Sequence, residues 1–554
     1  MAESTSFDYV IVGGGLSGCA LASRLKALQP GSSILVVEAG PDPGPEHDVV
    51  TLLGGFALQN SALDWAFPTA ATPSTAGRTH TLTHGKTLGG GSVLNYGGWA
   101  RGDAPDYDNW AAKVGGGDKR WSYAGMLPYF KRSESFYDKN ASAEFHGFDG
   151  PMKVTPILAS NAARRYPLRE PLEKAWTELG VQRNLDPFAN PLQGLSDYYE
   201  SWEDGKRRPS YLAYPLDGIT VKTACPATQI LFTTASGQTP KATAVKLANG
   251  ETVTANKEVI LSAGTLQTPR LLLRSGIGAP AALSTHNIPV VAPLPEVGAS
   301  YFDHFALFQW FKVKDPSRGL AVGHPALSAD AFVAGMPADW TTNEGLPRDV
   351  LEKALDEDGV TGAEREALLQ PGRVFVETLI LYHPLAPVFP LDGSVLCSSV
   401  MLTLPSSRGR IALRDGDVDA ETPHIEPGYF TTALDRVCMI YGVRRLLKLM
   451  LGTEAMKEYV EAELTFPGLA PLTPESSDKE IEDRIRAVGV AHFHAAGSCA
   501  IGRVVDGDLK VKGVEGLRVC DASVFPAPVG GHPMASLYGV VEQAADIITG
   551  GAQA

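Results

Sequence analysis

The segment Tyr9-Val10-Ile11-Val12-Gly13-Gly14-Gly15-Leu16-Ser17-Gly18 constrains this chain more than any other. A continuous apolar run of strand type passes at once into a glycine-rich turn, and Leu21, Leu25 and Leu28 then recur at helical spacing. Strand, tight turn and helix in that order begin a βαβ unit, the building block of parallel sheets. A second apolar run, Ile34-Leu35-Val36-Val37, ends in Glu38 at what should be the carboxyl end of the neighbouring strand. Gly13 permits the sharp turn, Gly15 lets the backbone approach a pyrophosphate, and Gly18 lets the helix pack on the strand. The helix that opens at Leu16 and Ser17 turns free N–H groups and its positive dipole end toward the phosphates. Glu38 suits the hydroxyls of a ribose. The pattern predicts a dinucleotide site and leaves open which dinucleotide fills it.

At 554 residues the chain exceeds what one hydrophobic core usually organises, roughly 250 to 300 residues, so two domains are expected. No apolar run reaches the ~18 residues of a membrane span, and Met1 to Phe7 is a short polar start rather than a signal-peptide core. A cytoplasmic location is expected. A net charge of −14 leaves no basic stripe for phosphates, so neither nucleic acid nor stable attachment to a membrane is expected, and a small molecule is the natural partner. The six cysteines are too scattered for a disulfide framework or a Cys-x-x-Cys metal pair. The sequon at Asn140 lacks the secretory context that would make it a glycosylation site. Nothing in the sequence marks an oligomeric state.

Two longer stretches narrow the reading. Gly85-Lys86-Thr87-Leu88-Gly89-Gly90-Gly91-Ser92-Val93-Leu94-Asn95 continues to Trp99-Ala100-Arg101-Gly102, and Gly264-Thr265-Leu266-Gln267-Thr268-Pro269 continues to Ser275-Gly276-Ile277-Gly278. They resemble, in the right order, the two signatures of the glucose–methanol–choline (GMC) oxidoreductases. Further landmarks at Asp303-His304, Pro405 to Gly409, His494 to Cys499, Asp521-Ala522-Ser523 and His532-Pro533 extend the resemblance over nearly the whole chain.

The resemblance implies an α/β protein with a Rossmann-type FAD-binding domain and a substrate domain built on an antiparallel sheet with flanking helices. It implies FAD as cofactor, oxidation of an alcohol CH–OH by hydride transfer to flavin N5, and molecular oxygen or another electron acceptor. Residues 1–155, 211–303 and 491–554 would form the FAD-binding domain, and 156–210 and 304–490 the substrate domain. Cofactor contacts are implied at Gly13, Gly15, Leu16, Ser17, Gly18, Glu38, Ala39, Gly90, Gly91, Ser92, Asn95, Gly98, Ala227, Asp521, Ala522, His532 and Pro533. Asn95 could equally be a buried loop amide. Some relatives carry, directly before that asparagine, a histidine bonded to the flavin. Leu94 stands there in this chain, so non-covalent FAD is expected.

Strand-like runs at His304 to Val313, Arg373 to Tyr382 and Ser394 to Leu404 fit an antiparallel sheet, with a helical stretch near Leu346 to Leu369 between the first two. The Pro-, Gly- and acid-rich segment 315–372 suits a cover for the site and an ordinary surface elaboration alike. Phe493 and Tyr382 are candidates for the substrate pocket.

His532 precedes Pro533, a helix-start residue, and Leu537, Val540, Val541, Ala544 and Ile548 then repeat at helical spacing. A helix amino terminus should lower the pKa of an imidazole beside it. Alcohol oxidation needs a neutral base to remove the hydroxyl proton, a task that suits histidine near neutral pH. By resemblance His494 is the principal base and His532 its partner, a His/His pair like that of glucose oxidases and aryl-alcohol oxidases. A non-redox lyase or isomerase of the same fold would need the same bases and is the alternative. His492 and His494 could share a face toward a metal, but the spacing offers no third ligand, so no metal is expected.

Overall fold

A computed structural model describes residues 5–44 and 50–551, so the polar start is described only from Thr5 onward. The chain folds as two seven-stranded sheets, each with its own hydrophobic core.

In the first sheet Thr220–Lys222, Ile34–Val37, Ser6–Val12 and Thr252–Leu261 lie side by side and parallel. Ile34–Val37 and the apolar end of Ser6–Val12 are buried on both faces, as the continuous apolar runs require. Thr252–Leu261 is ten residues long and changes partner along its length. Its first residues pair antiparallel with Lys241–Leu247, which leads to Ala227–Thr233, and its last residues pair in parallel with Leu517–Val519. The carboxyl ends of the parallel strands therefore bring Gly13, Glu38, Ser262 and Asp521 to one edge, where open α/β sheets bind ligands. Helix Leu16–Leu28 starts directly after the glycine turn. The last long helix, Met534–Thr549, packs against it and against Tyr123–Ser133. A Cβ at Gly539 would lie 2.4 Å from the Phe130 ring, so glycine sets how closely the last two approach.

The second sheet is antiparallel throughout, in the order Val460–Leu464, Phe305–Val313, Val395–Leu402, Val376–Leu381, Trp340–Glu344, Gly194–Asp197, with Val490–Ala491 also pairing with Phe305–Val313. The three strand-like runs of the sequence are its centre. Alternation gives it two uses. Val376 and Val400 meet helix Ala433–Leu447, where a Cβ at Gly442 would come within 2.6 Å of both side chains. Residues of the opposite parity, including Phe308, Trp310, Leu379, Leu381 and Ser399, face a cavity between the two sheets. The segment 315–372 holds two helices, Arg348–Glu357 and Gly362–Leu368, rather than one, and a strand of the sheet. Of this segment only Met336 lines the cavity.

Helix Asp478–Val488 opens with a capping box formed by Ser477 and Glu480 and delivers the chain to Val490–Ala491 and so to His492. Arg484 on this helix pairs with the buried Glu463 of the sheet at 2.7 Å. Removing one partner of a buried ion pair strands the other charge. Arg484→Met should therefore cost about 3–5 kcal/mol, read as a clear fall in the midpoint of thermal unfolding that the double change Arg484→Met/Glu463→Leu largely restores. An unchanged midpoint in the single variant would contradict this role for the pair.

Candidate active site

A cavity of about 840 Å³ runs from the carboxyl edge of the first sheet to the face of the second. Gly13, Gly15, Leu16, Ser17, Glu38, Ala39, Gly90, Gly91, Asn95, Gly98, Ala227, Asp521, Ala522, His532 and Pro533 all line it, as do His494 and Phe493.

At the nucleotide end the backbone leaves room where side chains would close it. Gly13 has φ +105°, and a Cβ there would sit 2.3 Å from the Ser262 carbonyl oxygen. The loop at Gly90 crosses so near the first turn that a Cβ on Gly90 would lie 2.7 Å from the Cα of Gly15. Helix Leu16–Leu28 has no side-chain cap at Gly15, so its first N–H groups are available to an anion. Glu38 receives the N–H of Gly14 and of Gly40, both at 2.8 Å, and burial, opposed by those bonds, pushes its carboxyl up to about 7. This cradle fits the pyrophosphate and ribose of a dinucleotide.

Three predicted contacts fall elsewhere. Gly18 packs against the turn, where a Cβ would meet the Gly13 carbonyl oxygen at 1.8 Å, and it does not line the cavity. The Ser92 hydroxyl turns away to donate to the Gly89 carbonyl and accept from the Ser210 N–H. Tyr382 is wholly buried, donates to Asp339 at 2.8 Å and stacks on Tyr166. The cavity-facing residues of its strand are odd-numbered, so position 382 points to the other side. Asn95 accepts the Gly97 N–H and directs its amide group to the Met534 sulfur. Asp521 fastens the carboxyl-terminal loop to helix Gly264–Arg274 by accepting from Gly264 N–H and the Thr268 hydroxyl.

The inner end holds four histidines. His492 and His494 flank Phe493, whose φ of +62° is uncommon for a bulky residue. The turn there sends Phe493 outward, 40% exposed, and leaves the two imidazoles 4.9 Å apart on one side. His494 and His532 lie 4.8 Å apart between ring centres. His494 is anchored twice, its backbone N–H donating to Asp303 at 2.6 Å and its Nδ1 lying 3.0 Å from Nδ1 of His304. Two neutral imidazoles in such contact share one proton, which leaves Nε2 of His494 for the cavity. Burial first, then the neighbouring charges of His532, His492 and His304, hold the His494 pKa well below the ordinary histidine range.

His532 behaves oppositely. It sits just outside the helix, with Pro533 as the N-cap residue, and its Nε2 meets the buried Glu377 carboxylate at 2.8 Å. Burial lowers its pKa, but the charge and hydrogen bond of Glu377 together outweigh that and raise it. The lowering expected from the helix start is therefore overturned by a carboxylate from the other sheet. The two neighbouring imidazoles thus have their pKa values pushed in opposite directions, the pattern by which one environment separates an acid from a base.

Glu377 and the role of His304 went unassigned in the sequence. An acid inside the apolar run Val376 to Leu381 was the available signal for the first, and the Asp303-His304 landmark for the second.

Such a site belongs to a dinucleotide-dependent enzyme, and likeness to known proteins fixes which kind. The GMC oxidoreductase family models match residues 7–306 and 405–540. The GMC-type oxidoreductase acuG of Aspergillus aculeatus is 38% identical over 98% of this chain and 99% of its own length. A formate oxidase of Aspergillus oryzae RIB40 superimposes with a TM-score of 0.86 at 28% identity, covering 99% of each chain. A fungal aryl-alcohol oxidase does so with a TM-score of 0.80 at 26% identity and the same coverage. The chain belongs to the GMC oxidoreductase family and is an FAD-dependent enzyme acting on CH–OH donors. Among the described residues no helix is long and apolar enough to cross a membrane.

Gly15→Val would place two methyl groups between the opposed glycine turns. The purified variant should retain at most about a tenth of the parental flavin, a loss of ~1.4 kcal/mol or more in binding, measured from the ratio of flavin to protein absorbance. Full flavin content in this variant would mean that the pyrophosphate lies elsewhere.

Proposed function

We propose that this enzyme oxidises a neutral, largely apolar alcohol, aromatic or allylic in character, to its carbonyl, with His494 as base and His532 as its hydrogen-bonding partner. The observation that carries the reading is the meeting of the two histidines where the glycine cradle ends and the apolar sheet face begins.

The sheet face of the cavity presents Phe308, Trp310, Leu379 and Leu381, and Trp65, Phe67 and Phe466 add aromatic surface. The carboxylates and guanidinium groups that line the cavity are Glu38, Asp521, Arg270, Arg274, Asp419 and Glu421; Asp521 is taken by Gly264 and Thr268, and Arg274 pairs with the Asp419 carboxylate. No charge is left on the sheet side for a charged substrate, because Glu377 is already taken by His532. An apolar body with one hydroxyl fits these walls.

An alcohol becomes a good hydride donor when its proton leaves, and in the tautomer whose Nδ1–H donates to His304, Nε2 of His494 has the lone pair to take that proton. His532, whose pKa Glu377 raises, offers a hydrogen bond to the negative charge that develops beside it. Bound FAD supplies the hydride acceptor. The substituents at Phe493, His492 and Ser399 border the space in which the carbinol carbon must sit. Leu94 lines the cavity and has no group able to bond to a flavin, which supports dissociable FAD. The strand membership of the two sheets supports residues 1–155, 211–303 and 491–554 as the FAD-binding part and 156–210 and 304–490 as the substrate part.

The test is anaerobic mixing of FAD-loaded enzyme with a panel of benzylic, allylic, aliphatic and cationic alcohols. Neutral aromatic or allylic members should bleach the oxidised-flavin absorbance fastest, and His494→Ala should keep its flavin while slowing that bleaching at least ~100-fold. Turnover of a panel member with an unchanged flavin spectrum would instead mark a non-redox lyase or isomerase, and an undiminished rate in His494→Ala would remove the histidine from the role of base.

A further inference from the structure

His492 and His494 lack a third metal ligand in the sequence nearby, and the fold supplies one. His532 arrives from the far end of the chain, and one nitrogen from each of the three rings lies within 4.8 Å of the others. The ring centres are 4.9, 4.8 and 5.7 Å apart. Three imidazoles bound at ~2.0–2.1 Å to one tetrahedral ion have centres about 5 Å apart, so closing this triad around an ion takes side-chain shifts of about an ångström.

Each ring is also held from behind. Nδ1 of His494 is engaged by His304, and Nε2 of His532 by the Glu377 carboxylate. Nε2 of His492 lies 3.4 Å from the Ser399 hydroxyl, while its Nδ1 is buried with no hydrogen-bond partner. Metal-binding histidines are oriented by such outer contacts, a carboxylate behind the imidazole above all. A buried, unpartnered imidazole nitrogen beside two others is a ligand atom in search of an acceptor of its lone pair.

We propose that His492, His494 and His532 bind one divalent transition-metal ion of the imidazole-preferring class, Zn²⁺ or Cu²⁺, and that this ion shuts off alcohol oxidation. Ligation occupies the lone pair with which His494 accepts the hydroxyl proton, displaces to solvent the proton that His532 carries toward the cavity, and the ion fills the place of the carbinol. The inhibition rests on the base role given to His494, whereas the binding does not.

Zinc is the probe. FAD-loaded enzyme freed of metal by a chelator is titrated with Zn²⁺ by calorimetry, and alcohol-driven flavin bleaching is followed in parallel. One zinc per chain should bind, bleaching should stop in proportion to occupancy, and chelator should restore it. His492→Gln, checked for retained flavin, should weaken binding at least a hundredfold. Glu377→Gln keeps all three rings and should weaken it about tenfold, the usual effect of losing an outer contact. No saturable binding, or binding unaltered in both variants, overturns the site while leaving alcohol oxidation standing. Binding that disappears with His492→Gln yet leaves bleaching intact upholds the site and overturns the inhibition.

Discussion

Gly13 lies so close to the backbone of Ser262 that a single methyl group at its Cα would meet a carbonyl oxygen at 2.3 Å. That closeness is what holds the first sheet to its function. It lets the amino-terminal strand run beside Thr252–Leu261 to the end, with Ser262 N–H bonded to the Val12 carbonyl and Gly13 N–H to that of Val37. Two neighbouring strands of the amino terminus and the distant Thr252–Leu261 thereby finish at one edge, and a fourth segment, ending at Asp521, joins them through the same long strand. The nucleotide end of the cavity is the space this edge leaves, and its chemistry is mostly backbone N–H groups and small residues.

The inner end follows a different logic. There the side chains matter, and two identical residue types acquire opposite character from their surroundings. His494 is buried among other imidazoles, which lowers its pKa, while His532 is buried against a carboxylate, which raises its own. Neither property belongs to a helix terminus or to a motif. The first arises where His304, His492 and His532 crowd around His494, the second where Glu377 of strand Val376–Leu381 reaches a loop of the other sheet, so both shifts are set by tertiary contact.

This division also explains what could be read before the fold was known. The glycine turn, its helix and Glu38 form a local unit whose parts are adjacent in sequence, and the central strands of the second sheet announce themselves by apolar runs. His532 beside a helix start was likewise legible, since Pro533 and the following periodicity are local signals. The sign of its pKa shift was not, because Glu377 lies 155 residues away. Tyr382 illustrates a subtler failure, since an aromatic at the end of a cavity-lining strand is plausible until the register shows which parity faces inward. Ser92 sits in a signature loop, but only the path of the chain at Ser210 reveals that its hydroxyl is already engaged.

The contact between Glu377 and His532 crosses between the two cores, since Val376 and Leu379 beside the acid belong to the second and Val529 and Met534 beside the histidine to the first. The glycine turn at Gly13 and the carboxylate of Glu38 stand at the edge of the first sheet. Loosening the second sheet would part His532 from Glu377 while leaving the glycine turns of the first sheet where they are. The nucleotide end and the histidine end of the cavity are thus secured by different parts of the chain.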